Sequence, residues 1–114
     1  MDVTFSSNKL RKEMSEAKAM VRAYGPRQSK VIQIVLTRLR AAASLAIFAP
    51  PYSPPNRCHE LAGNLKGIIS IDVVHPYRLL FEVGNDPIPK QDAGGLDWSK
   101  VTAIRITNVE NTHG

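Results

Sequence analysis

Three imidazoles and one strand-borne guanidinium are the groups in this chain best suited to chemistry: His59, His75, His113 and Arg78. An imidazole titrates near neutral pH and can pass protons. A guanidinium is a permanent cation whose planar fork matches a phosphate. The three histidines are too scattered to read as a zinc site. The chain has no phosphate loop, no Cys/His cluster at metal-ligand spacing and no nucleophile elbow. No pair of carboxylates stands out as an acid and base. Taken alone, Arg78 pairs with Asp72 or Glu82, which lie within cross-strand reach on the same hairpin. The isolated residues therefore give a basic domain and no activity.

The element that must position Arg78 is the stretch from Gly67 to Val83. Two apolar, β-branched runs flank a break at His75-Pro76, which is how a β-hairpin reads. Ile69, Ile71 and Val73 share one face of the first run. Tyr77, Leu79, Phe81 and Val83 share one face of the second, with Arg78, Leu80 and Glu82 opposite. Pro76 cannot donate to a ladder and belongs in the connection.

Upstream, Val3-Thr4-Phe5 predicts an edge strand, and Ser6, Ser7 and Asn8 offer N-cap oxygens. Leu10, Met14, Ala17, Val21 and Tyr24 form one helical stripe, ended by Gly25-Pro26. A second helix is predicted from about Arg27 to about Ala46, with Ile32, Val35, Leu36, Leu39 and Ala43 as its stripe. Pro50, Pro51, Pro54 and Pro55 exclude helix and central strand, so residues 48–57 read as a stiff surface connector. A short strand over Arg57–Leu61 and a glycine-framed turn lead into the hairpin. Residues 84–98 form a long excursion. The last strand, Val101–Val109, alternates with Ile104, Ile106 and Asn108 on one face and Arg105 on the other.

The 114 residues suit one domain, with enough chain for a core without staples. A single cysteine, Cys58, excludes an internal disulfide framework and fits a reducing cytoplasm. There is no apolar run long enough for a membrane span and no signal peptide. The net charge of +5 is uneven: residues 1–40 carry nine bases against three acids. Such a basic helical half favours a polyanionic partner. The order of elements predicts an α+β fold, with an N-terminal strand and a helical hairpin packed on a mainly antiparallel sheet of about four to five strands.

Several stretches together resemble one family. They are CHELAGNLKG (58–67), HPYRLLFE (75–82), NDPIP (85–89), GGLDWSKVTAIRI (94–106) and the closing NTH (111–113). The sequence is similar to the HigB-like plasmid maintenance killer toxins of the RelE/ParE superfamily. The resemblance implies a cytoplasmic toxin held inactive by a cognate helix-turn-helix, HigA-like antitoxin. It implies a toxin that enters the ribosomal A site and cuts mRNA without a metal or other cofactor. In that reaction the ribose 2′-OH attacks the adjacent phosphate, leaving a cyclic phosphate and a free 5′-OH. The chemistry needs a base, an acid and a cation on the phosphorane.

Residue by residue, the resemblance implies catalytic roles for His59 in the H-x-L turn, Arg78 in the hairpin and His113 at the end of the tail. Arg57, Lys66, Asn111 and Arg105 are the expected RNA contacts. The chain departs from the family at three positions. Asn111 and Thr112 replace the aspartate and tyrosine of a D-Y-H tail, and Ala62 replaces a lysine, for which Lys66 is the nearest substitute. These departures keep two alternatives open: a non-catalytic, ParE-like inhibitor of DNA gyrase, and a degenerate toxin that only binds its antitoxin.

Overall fold

The computed structural model describes residues 1–65 and 67–111. Its strands are β1 (Asp2–Phe5), β2 (His59–Glu60), β3 (Ile68–Asp72), β4 (Tyr77–Val83) and β5 (Ala103–Asn111), and its helices are α1 (Asn8–Ser15) and α2 (Ala17–Ala41). The sheet order is β1-β5-β4-β3-β2. β1 runs parallel to β5, and every other pair is antiparallel. The α+β arrangement expected from the sequence is therefore present: a strand, helices, then a mainly antiparallel five-stranded sheet. Among the described residues no helix is long and apolar enough to cross a membrane.

The helices depart from the expected layout. Ser7 caps α1, its side-chain oxygen accepting from the Leu10 amide at 3.1 Å. Glu16 is extended (φ −113°, ψ 121°), so the chain breaks there, ahead of Gly25. The break resets the helical phase. Met20 is buried in place of Ala17 and Val21, and Val21 is 44% exposed. Gly25 then adopts φ 81° and ψ 165°, a backbone open essentially to glycine, and kinks α2 ahead of Pro26. Tyr24 hydroxyl donates to Glu13 Oε1 at 3.1 Å, tying the first turns of α2 back to α1. α2 stops at Ala41, so Ala42 is buried and Ala43 is exposed. A 3-10 turn over Leu45–Phe48 then puts Leu45 and Phe48 into the core.

One sheet face carries Ile69, Ile71, Leu79, Phe81, Ile104 and Ile106. These pack with Leu10, Met14, Met20, Ile32, Val35, Leu36 and Leu39 from the helices. Burial of a side chain such as Phe81 contributes about 1.5–3 kcal/mol, and this layer fixes the register of the hairpin. The expected alternation fails in β5. A bulge opposite Leu80/Phe81 makes Leu80 face Asn108 and Phe81 face Ile106, leaving Thr107 as the extra residue. Asn108 therefore shares a face with Arg105, not with the isoleucines.

Candidate functional site

The second sheet face is polar, and the register shows how. Asp72 stands opposite Arg78, and Arg78 opposite Glu110. His59 stands opposite Ser70, Ser70 opposite Leu80, and Leu80 opposite Asn108. Glu82 stands opposite Arg105. Partners in a ladder share a face, so His59, Arg78 and Arg105 all lie on the side away from the helices.

Arg78 is 7% exposed and its Nε lies 3.5 Å from Asp72 Oδ1. Of the two carboxylates the sequence offered, Asp72 is its partner. Glu82 bonds Arg105 Nη1 at 3.0 Å. That second pair sits four residues along β4 from Arg78, about 13 Å away at the rise of a strand. Arg105 is thus on the same face as Arg78 but in a separate ion pair.

The proline-rich connector folds onto this face. It is held by the Tyr52 amide donating to Cys58 O (3.0 Å), the Arg57 amide to Ser53 O (2.9 Å) and the Asp72 amide to Asn56 O (2.8 Å). The expected stiff segment across the surface is therefore a bound flap over one corner of the sheet. Tyr52 and Arg57 both adopt left-handed backbone, with φ 68° and 48°. For residues with a Cβ this conformation costs about 1–2 kcal/mol each. The result is a stack. The Tyr52 ring lies on His59 with centroids 3.9 Å apart and planes 16° apart, and the Arg57 guanidinium lies 5.8 Å from the Tyr52 centroid. His59 is 5% exposed, with Nδ1 2.8 Å from Arg57 O.

Beside the stack, Arg57, Asp72, Val73, His75, Pro76, Tyr77 and Arg78 line a cleft of about 30 Å³. Residues bearing two guanidiniums, an imidazole and a phenol thus surround one small hollow at the turn end of the hairpin, although strand alternation puts Tyr77 on the helix side with its ladder partner Asn111. The family resemblance assigned no site role to His75 or Tyr77. Their signal was their place beside Arg78 in the HPYR run, and only the fold of the connector makes that turn a cleft wall. Val74 amide donates to Gln28 Oε1 at 2.9 Å, which ties the turn to α2. Among the described residues, three buried oxygens in this corner accept no hydrogen bond: Asn56 Oδ1, Ser70 Oγ and Asp72 Oδ1, the last still in its 3.5 Å ion pair with Arg78. Buried polar atoms without a hydrogen bond are uncommon.

Asn111 is exposed, ends β5 and stands opposite Tyr77. By strand alternation it falls on the helix side of the sheet, one residue beyond Glu110. Lys66 and His113 lie outside the described residues. Burial pushes the neighbouring Cys58 thiol up to about 12, far above the range of a reactive thiolate.

No family model matches the chain, and no curated protein matches it. Solved structures do. The fold is similar to a YoeB/ParE toxin from Agrobacterium tumefaciens, with a TM-score of 0.56 and 10% identity, covering 97% of this chain and 98% of that one. It is similar also to a chain of the YoeB-YefM complex from Staphylococcus aureus, with a TM-score of 0.53 and 16% identity, covering 96% and 94%. With helices on one face of a five-stranded mixed sheet, over nearly its whole length, the chain has a YoeB/ParE-type toxin fold.

Proposed function

We propose that this protein is the toxin of a type II toxin-antitoxin pair, in the HigB-like branch, and that it cuts mRNA on the ribosome in the cytoplasm. The observation that carries this reading is the cleft lined by Arg57, His75 and Arg78, with Arg57 also beside the Tyr52–His59 stack. Two guanidiniums suit the charge that builds on a phosphorane. An imidazole takes the 2′-OH proton as that oxygen attacks phosphorus, and an acid returns a proton to the departing 5′ oxygen. His75, which lines the cleft, and His59, held in the adjoining stack, are the candidate imidazoles among the described residues, and His113 is the third candidate. Asn111, Lys66 and Arg105 are RNA contacts in this reading, with Arg105 serving a more distant part of the strand.

The basic helices favour an acidic or amphipathic antitoxin segment, and the proposed antitoxin is a HigA-like helix-turn-helix protein.

A second reading draws on burial. Arg78 and His59 are 7% and 5% exposed, which suits a ParE-like toxin that binds DNA gyrase without cutting RNA, or a toxin reduced to antitoxin binding. Induction without antitoxin separates the readings. Growth arrest with discrete new mRNA 5′ ends, abolished by Arg78→Ala, is the expected result. Arrest with intact mRNA and DNA-damage signalling supports the gyrase reading, and no arrest supports the degenerate one. Full toxicity of both Arg78→Ala and His59→Ala would overturn the site.

A further inference from the structure

We propose that Tyr52 is a nucleobase-stacking residue, the base platform that accompanies the Arg57–Arg78 cleft. The inference rests on the reading of that cleft as an RNA phosphate site. Tyr52 is 55% exposed although His59 covers one of its faces. His59 is itself buried and anchored through Nδ1 to Arg57 O, so it forms a fixed floor that holds the phenol ring at one angle. The Arg57 guanidinium, 5.8 Å from the ring centroid, belongs to an exposed and long side chain. Such a cation can share or yield an aromatic face to a base.

The same Arg57 lines the cleft with Arg78. A phosphate drawn to Arg57 at the mouth of that cleft would leave its nucleoside next to the Tyr52 ring, because the same guanidinium lies 5.8 Å from the ring centroid. The backbone agrees with this assignment. Tyr52 and Arg57 are the two non-glycine residues given positive φ among the described residues, and non-glycine residues keep such backbone where the surroundings over-determine it, often at ligand clamps. Neither side chain belongs to the core. The partner that fits is a single-stranded RNA nucleotide, whose splayed base has a π-face and whose phosphate has the charge.

The test is binding of a labelled 2′-O-methyl hexa-adenylate, which has no 2′-OH to attack and stays intact. Wild type and Tyr52→Phe should bind alike, because both keep the ring. Tyr52→Leu keeps an apolar cover on His59 but lacks a π-face, and should bind roughly 5- to 150-fold more weakly. Wild type should lose a similar factor when single nucleotides of the oligomer are made abasic in turn, at the position that stacks. This arm needs no variant to fold. Equal affinities for wild type and Tyr52→Leu, indifference to every abasic position, or no binding by wild type would overturn the proposal. Binding is read apart from cleavage. Tyr52-dependent binding without new mRNA ends on induction removes the nuclease reading alone. Cleavage with Tyr52-independent binding removes the stacking role alone.

Discussion

Arg78 Nε and Asp72 Oδ1 lie 3.5 Å apart, directly opposite each other across the β3–β4 hairpin and on the face away from the helices. The pair couples the candidate site to stability. Arg78→Ala should destabilise the fold by about 1–3 kcal/mol, because it leaves a partly buried carboxylate without this cation. Asp72→Asn should cost less, since the amide carries no charge. It should also tighten RNA oligomer binding by removing the anion beside the guanidinium. Urea unfolding and oligomer titration check the two effects separately.

The Gln28–Val74 hydrogen bond reaches from α2 to the turn that carries His75. Gln28→Ala removes the acceptor of a half-buried amide and should cost about 1 kcal/mol. Amide exchange at Val74 should accelerate, and cleavage on the ribosome should fall. Gln28→Glu keeps an acceptor and should restore both. Exchange at Val74 unchanged in Gln28→Ala would show that the turn is held by other contacts.

Gly25 tests the kink. A Cβ added there meets nothing within 4 Å, so any cost comes from the backbone at φ 81°. Gly25→Ala should lower stability by about 1–3 kcal/mol. The change should appear as a lower urea midpoint with an unchanged slope. An unaffected midpoint would show that the two halves of α2 meet without this conformation.

Alkaline pH should weaken the fold. Burial raises the Cys58 thiol from 9.0 to about 12. Burial first, then the hydrogen bond and charge of Glu13, raises Tyr24 from 10.0 to about 12. In both cases the unfolded chain loses its proton before the folded chain does. The stability is therefore complete below about pH 9 and declines toward pH 12. Melting at neutral pH and at about pH 10.5 should show the fall, and Cys58→Ala should flatten it.

The hairpin, the final strand and the α+β order were legible because period-2 and period-3.6 patterns depend on neighbours along the chain. The same patterning put Arg78 on the face opposite Tyr77, Leu79, Phe81 and Val83. Three features were not legible in that patterning. Glu16 breaks the helix without a glycine or proline to announce it. The Thr107 bulge moves Asn108 to the face of Arg105, a shift set by pairing with β4. The connector, read from its prolines as a surface strut, carries Tyr52 onto His59 and Arg57 into the wall beside Arg78. A one-dimensional pattern reports which residues share a face. Only the folded chain decides which loop closes over that face, because this depends on hydrogen bonds such as Asp72 N to Asn56 O, between segments with no common period.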